Sequence, residues 1–205
     1  MIPASALRVV NVLLNAPSPL SLRELSREAR VPLSVCSRYV NELERLGYLR
    51  KRPRIKVVNQ ELVYLIAYGR PLRSLRATSF ESLERPQHLI KKIALLAEGR
   101  LAYAFTHLAG AELVAPYVVP NEVYLYVEEK QLGEWARVLE GSGMYPSDGG
   151  SIHLVVSDLD PFYGAREVRG VRVVSDFLLF ADLYSCGGRA REAARFLAQK
   201  VGLRV

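Results

Sequence analysis

Leu7, Val10 and Leu14 recur at helical spacing and predict a helix over 5–16 that stops before Pro17-Ser18-Pro19. Ser21-Leu22-Arg23-Glu24 has the Ser-x-x-Glu form in which serine and glutamate satisfy each other's free backbone donors. A second helix therefore opens there, with Leu22, Leu25 and Ala29 facing inward. Val31-Pro32-Leu33 breaks it. Ser34 is the expected cap of a third helix running to Leu46, ended by Gly47, whose freedom at positive φ suits a helix stop. Cys36, Val40, Leu43 and Leu46 fall on one side of this helix, and Ser34, Ser37, Arg38, Asn41 and Arg45 on the other. Tyr48–Arg52 and Ile55–Val58 then read as the strands of a hairpin around Pro53-Arg54. Asn59 is placed to cap a short helix, Gln60–Tyr68, apolar nearly all round and therefore buried against a second copy or the rest of the chain.

Residues 69–86 lose this periodicity and are rich in Pro, Ser and Arg, so they are expected to be a linker between a first domain, 1–68, and a second, 87–205. The second begins with a helix over 87–98. Strand and helix patterns then alternate: strands at 101–105, 122–128, 152–157 and 171–174, helices at 106–115, 130–140, 176–184 (capped by Ser175) and 189–201. That alternation predicts an α/β domain with a small mixed sheet. No apolar run approaches the roughly 20 residues that cross a bilayer, and no charged leader precedes the first helix, so a cytoplasmic protein is expected.

Charge divides the chain where periodicity does. Residues 1–60 hold 11 Lys/Arg against 4 Glu, whereas residues 61–205 hold 17 of each sign. The whole excess of +7 therefore lies in the first 60 residues and points to a polyanion partner for that segment. Arginine outnumbers lysine 22 to 6, with only nine Asn and Gln, a balance expected of a thermophile. Cys36 and Cys186 stand alone in different domains, which leaves no disulfide framework and no cysteine zinc site.

Helix, helix, recognition helix and basic hairpin, in that order, resemble a winged helix-turn-helix. The wording Ser34-x-x-Ser37-Arg38-Tyr39-Val40-x-Glu42-Leu43-Glu44-Arg45-Leu46-Gly47-Tyr48-Leu49 is similar to the recognition helix and wing entry of bacterial and archaeal regulators. Short hydroxyls, an amide and two guanidiniums on one helix face are the groups that reach base edges in a major groove. The expected DNA contacts are Ser34, Ser37, Arg38, Asn41 and Arg45 on that helix, with Arg50, Lys51, Arg52, Arg54 and Lys56 on the hairpin.

In the second half, the succession Tyr103-Ala-Phe-Thr106-x-x-Ala-Gly110, Val123-Tyr-Leu-Tyr-Val127, Phe162-Tyr163-Gly-Ala-Arg166, Val173-Val-Ser175-x-x-Leu178-x-x-x-Asp182 and Gly188-Arg-Ala-Arg-Glu192 resembles the C-terminal domain of AbiEi-like antitoxins. The resemblance implies a repressor that binds its own promoter as double-stranded DNA and that opposes a nucleotidyltransferase-like toxin; a homodimer is one of the two outcomes expected for the apolar helix 60–68. None of these motifs is catalytic, and neither enzyme activity nor a cofactor is expected.

An enzyme is the competing reading, a metal-dependent nucleotidyltransferase or nuclease-like chain tethered to DNA. Nucleotidyl transfer needs two carboxylates at i and i+2 on one strand to share divalent metals. Here those slots are Tyr124 and Tyr126, with Glu122 and Glu128 about 20 Å apart along an extended strand. A degenerate nucleotidyltransferase-like fold, used for binding, is compatible with that pattern. Asp158-Leu-Asp160 is the remaining carboxylate pair, at a spacing that also suits an ordinary turn.

Overall fold

The computed structural model describes residues 2–205. Three helices, α1 (Ala4–Asn15), α2 (Leu22–Ala29) and α3 (Leu33–Arg45), pack on one another through Val9, Leu25, Cys36 and Val40, all nearly or fully buried. A two-stranded ribbon, β1 (Leu49–Arg50) and β2 (Lys56–Val57), follows with Leu49 opposite Val57, and a bridge from Leu20 to Ile55 ties it to the segment before α2. This is the predicted winged helix-turn-helix.

Three details differ from the sequence reading. The wing strands are two residues each, shorter than the expected 48–52 and 55–58. Ser34 lies inside the first turn of α3, because Pro32, extended at φ −52°, is the residue that starts the helix. Leu46 is 55 % exposed: α3 ends one residue earlier, and the chain swings away at Gly47.

Asn59 caps a single 3-10 turn by accepting from the Glu61 N–H at 2.9 Å, and α4 (Val63–Gly69) follows. Leu62, Val63 and Ile66 are fully buried, worth about 1.5–3 kcal/mol each in transfer free energy. What buries them is α1 on one side and the second half of the chain on the other.

The second half is a seven-stranded mixed sheet of order β6-β3-β7-β5-β4-β9-β8. Its strands are β3 (Ala77–Glu81), β4 (Tyr103–Thr106), β5 (Val123–Val127), β6 (Tyr145–Pro146), β7 (Ile152–Val155), β8 (Arg166–Val168) and β9 (Val171–Val173). The helices are α5 (Pro86–Ala97), α6 (His107–Val114), α7 (Leu132–Glu140), α8 (Asp176–Cys186) and α9 (Gly188–Val201). α6, α8 and α9 pack together, and α8 covers the face that carries Thr106 and Tyr126; α5 and α7 pack with each other, Trp135 meeting Tyr103 edge-on at 6.4 Å.

The segment expected as a linker is instead part of this sheet. Within 69–86, β3 pairs antiparallel with both β6 and β7, and Arg70 is 6 % exposed. The polar look of Ala77-Thr-Ser-Phe-Glu81 has a simple cause: of its five residues, Phe80 alone is fully buried and only Ser79 is half-buried.

The two halves meet closely. Asn11 on α1 donates to the Asp160 carbonyl at 3.1 Å, and Tyr64 of α4 lies edge-on to Phe180 and Tyr184 of α8 at 5.7 and 4.9 Å.

Candidate nucleic-acid interface

The interface is built from α2 upward. Ser21 and Glu24 form the predicted reciprocal cap: the Ser21 hydroxyl accepts from the Glu24 N–H at 3.2 Å, and the Glu24 carboxylate accepts from the Ser21 N–H at 2.7 Å. That backbone donor, aided by the serine side chain and by Arg54, holds the Glu24 carboxyl below its ordinary value. α2 ends at Arg30, left-handed at φ 52°, and the turn is pinned by Ser26, which donates its hydroxyl to the Val31 carbonyl at 2.7 Å. Cys36 is fully buried beneath this turn, where burial pushes its thiol up, so it is packing material and not a reactive group. At the other end of α3, Gly47 at φ 82° lets the Tyr48 N–H reach the Leu43 carbonyl at 2.9 Å, which aims the chain into β1.

This frame presents one face of α3 to solvent. Ser34, Arg38, Asn41 and Arg45 are exposed and Ser37 is half-buried. The Arg38 guanidinium lies 5.3 Å over the Tyr39 ring, and Tyr39 is fixed by a 2.9 Å bond between its hydroxyl and Ser5 on α1. Lys51 spans from the wing to this face, its ammonium donating to the Asn41 side-chain oxygen and its backbone N–H to Glu44 at 2.9 Å. The Asn41 amide nitrogen is thereby left as the outward donor.

On the wing, the predicted cations divide. Arg54 turns back: it donates to the Pro19 carbonyl at 2.8 Å and pairs with Glu24, so it braces the wing against the cap of α2. Arg50 and Lys56 sit directly opposite each other across the ribbon, both exposed. Like charges facing across a strand pair repel, unless an anion lies between or above them. Arg52 is exposed nearby, and among the described residues none of these three makes an ion pair.

The sheet domain offers no comparable open constellation at the places sequence reasoning tested. Tyr126 is fully buried and Tyr124 is 8 % exposed, both beneath helices. Asp160 accepts from the Phe162 N–H at 3.0 Å, the ordinary turn arrangement. Among the described residues no three His, Cys, Asp or Glu come close enough to hold a metal ion.

One buried group was missed. Asp182 of α8 accepts from Thr106 at 2.6 Å, from the Tyr126 hydroxyl at 2.8 Å and from Arg70 at 3.3 Å, while Arg70 also donates to Tyr126 and, at 3.2 Å, to Ser157. A lone carboxylate in the apolar run Phe177–Tyr184 was the available signal.

Comparison with protein families decides what this assembly is. Residues 68–201 match the model described as transcriptional regulator, AbiEi antitoxin, type IV TA system. The chain belongs to this AbiEi family. Residues 5–53 match the IclR helix-turn-helix domain, which covers the three helices and the first strand of the wing. None of the curated proteins matches the chain. The AbiEi protein is thus a DNA-binding antitoxin regulator, with its helix-turn-helix in the region that carries all the excess positive charge. The AbiEi match begins at Tyr68, before β3, in keeping with a sheet that includes residues 77–81. Among the described residues no helix is long and apolar enough to cross a membrane.

Proposed function

We propose that this AbiEi protein represses its own promoter by laying α3 in the major groove, with Ser34, Ser37, Arg38, Asn41 and Arg45 toward the bases. Arg50, Lys51, Arg52 and Lys56 take the flanking phosphates, and Arg54 positions the wing that carries them. The single observation behind this assignment is the unpaired, face-to-face arrangement of Arg50 and Lys56, which an incoming phosphate relieves. The sheet domain opposes a nucleotidyltransferase-like toxin without catalysis of its own. Its β5 has tyrosines where that chemistry needs carboxylates, which supports the absence of catalysis and is compatible with a degenerate nucleotidyltransferase-like sheet. The place of action is the cytoplasm, with the promoter DNA.

A gel-shift titration against the DNA upstream of the gene, repeated across salt concentrations, tests the assignment. Arg50→Ala and Lys56→Ala are expected to weaken specific and random duplexes alike, each lowering the salt slope by about one unit. Arg38→Ala is expected to cost roughly 1–3 kcal/mol on the cognate site and far less on random DNA. Equal losses on both duplexes from Arg38→Ala would remove it from base reading.

A further inference from the structure

A cleft of about 690 Å³ lies where the winged helix meets the sheet domain. One wall is α1 and the end of α2, with Arg8, Asn11 and Arg30; the other is formed by 127–130 and 156–162, the segments that leave β5 and β7. β5 and β7 are parallel neighbours, so both carboxyl ends open on this cleft, the position at which α/β sheets take ligands. Its volume falls within the roughly 300–1,000 Å³ of small-molecule sites.

The chemistry of the lining is uneven. Its acids are mostly engaged: Glu128 with Lys130 at 2.7 Å, Glu129 with Arg76, Glu28 with Arg27 at 3.1 Å. Arg8 and Arg30 are in no ion pair among the described residues, and the Arg8 Nε is buried without a hydrogen-bond partner. Arg8 as a whole is half-buried and lines the cleft, so an oxyanion there meets a guanidinium that has no counter-ion. Asp158, on the opposite wall, is exposed and can take a hydroxyl or amine donor from the same ligand. Arg30 is also the left-handed residue that closes α2, two residues before Pro32 starts α3.

We infer that this cleft binds a small hydroxyl- or amine-bearing oxyanion, whose carboxylate or phosphate oxygens are held by Arg8 and Arg30, and that occupancy acts on the turn carrying the recognition helix. The second half of the inference rests on α3 being the DNA-reading helix; the first half does not.

Hydrogen–deuterium exchange of the full chain without DNA tests the site, with citrate and glycerol 3-phosphate, a hydroxyl-bearing carboxylate and a hydroxyl-bearing phosphate, as the two probes. Slower exchange in 4–15, 27–32 and 156–163 is expected with at least one. Its affinity should fall about tenfold or more in Arg8→Gln and in Arg30→Asn, the latter a residue that tolerates a left-handed backbone. Protection confined to 33–58 would place the anion on the DNA-facing cations and overturn the site. So would no protection with either probe, or undiminished affinity in Arg8→Gln at an unchanged melting temperature. The bound probe should then alter operator affinity in a gel shift, and Arg8→Gln should abolish that effect. Operator affinity indifferent to a probe that protects the cleft would overturn the coupling alone, while a lane without probe reports DNA binding separately.

Discussion

Replacing Asp182 by alanine leaves the Arg70 guanidinium charged in the protein interior with its main acceptor gone. Asp182 is 1 % exposed and Arg70 is 6 % exposed, so water does not compensate either. Burial pushes the Asp182 carboxyl up, and Arg70, Thr106 and Tyr126 work against that rise by stabilising its charge. Removing one partner of a buried ion pair costs about 3–5 kcal/mol, because the other charge stays desolvated. Against a total stability of roughly 5–15 kcal/mol, and at about 2–4 °C per kcal/mol for a chain of this size, the melting temperature should fall by about 10 °C.

The single tryptophan, Trp135, is fully buried in α7 on the far side of the sheet, so its fluorescence reports unfolding of this domain independently of helix circular dichroism. Coincident transitions would license the free-energy reading. The discriminating measurement is the pair Arg70→Met with Asp182→Leu. It removes both charges and leaves the Thr106 and Tyr126 hydroxyls short of a partner, with half-buried Ser157 losing its bond from Arg70 as well, so it should be more stable than Asp182→Ala alone. A loss below about 1 kcal/mol for Asp182→Ala, or a double variant worse than the sum of its singles, would refute the account of a desolvated, mutually dependent pair.

Arg54→Ala should lower the melting temperature of the winged helix while leaving the salt slope of DNA binding nearly unchanged, in contrast to Arg50→Ala, and parallel gel shifts and melts separate the two. His107 is 2 % exposed, and burial lowers its pKa from 6.5 to about 4, so the unfolded chain takes up the proton first. Stability is therefore full above about pH 6.5 and is lost as pH falls toward 4, by up to about 3 kcal/mol, and His107→Asn, which accepts the φ of 54°, should flatten that dependence in urea titrations across pH. Gly150→Ala should fail to fold or lose several degrees of melting temperature, because its Cβ would stand 2.2 Å from the Phe80 carbonyl oxygen, a backbone atom with little room to yield. A fragment beginning at Gln87 lacks β3 and Arg70 and should remain unfolded by circular dichroism, whereas one beginning before Tyr68 should fold.

The winged helix was legible because each of its parts has a local cause. The Ser21–Glu24 cap, the Pro32 break, the Gly47 stop and the apolar spacing of α3 all act within a few residues, and the structure departs from them only at Ser34 and Leu46. The sheet was legible wherever a strand was buried on both faces, as in Val123–Val127, whose five residues are all buried. β3 was not, because it hides a single phenylalanine among exposed or half-buried neighbours, and its place is set by pairing with β6 and β7, whose paired residues lie 64 to 78 positions later in the chain. For the interface, composition located the charge but could not divide it. That Arg54 faces inward to Glu24 while Arg50 and Lys56 face each other depends on the register of a ribbon only two residue pairs long.

That register has a mechanical consequence. The wing is held to α2 by Arg54, α2 to α1 by their shared core, and α1 to the sheet domain by α4 and by the Asn11 bond to Asp160. Arg70 then locks the end of α4 to α8 through Asp182 and touches Ser157, in the same segment that borders the cleft. The link at the wing is an exposed ion pair, Arg54 with Glu24, and the links from α1 to α8 run through buried side chains. A load applied to the sheet domain, by a toxin or by a ligand in the cleft, therefore reaches α1, α2 and the DNA-facing helix packed on them through a buried core, and the wing through the exposed Arg54–Glu24 pair. The family's two activities, operator binding and antitoxin action, are then expected to be coupled and not merely carried on one chain.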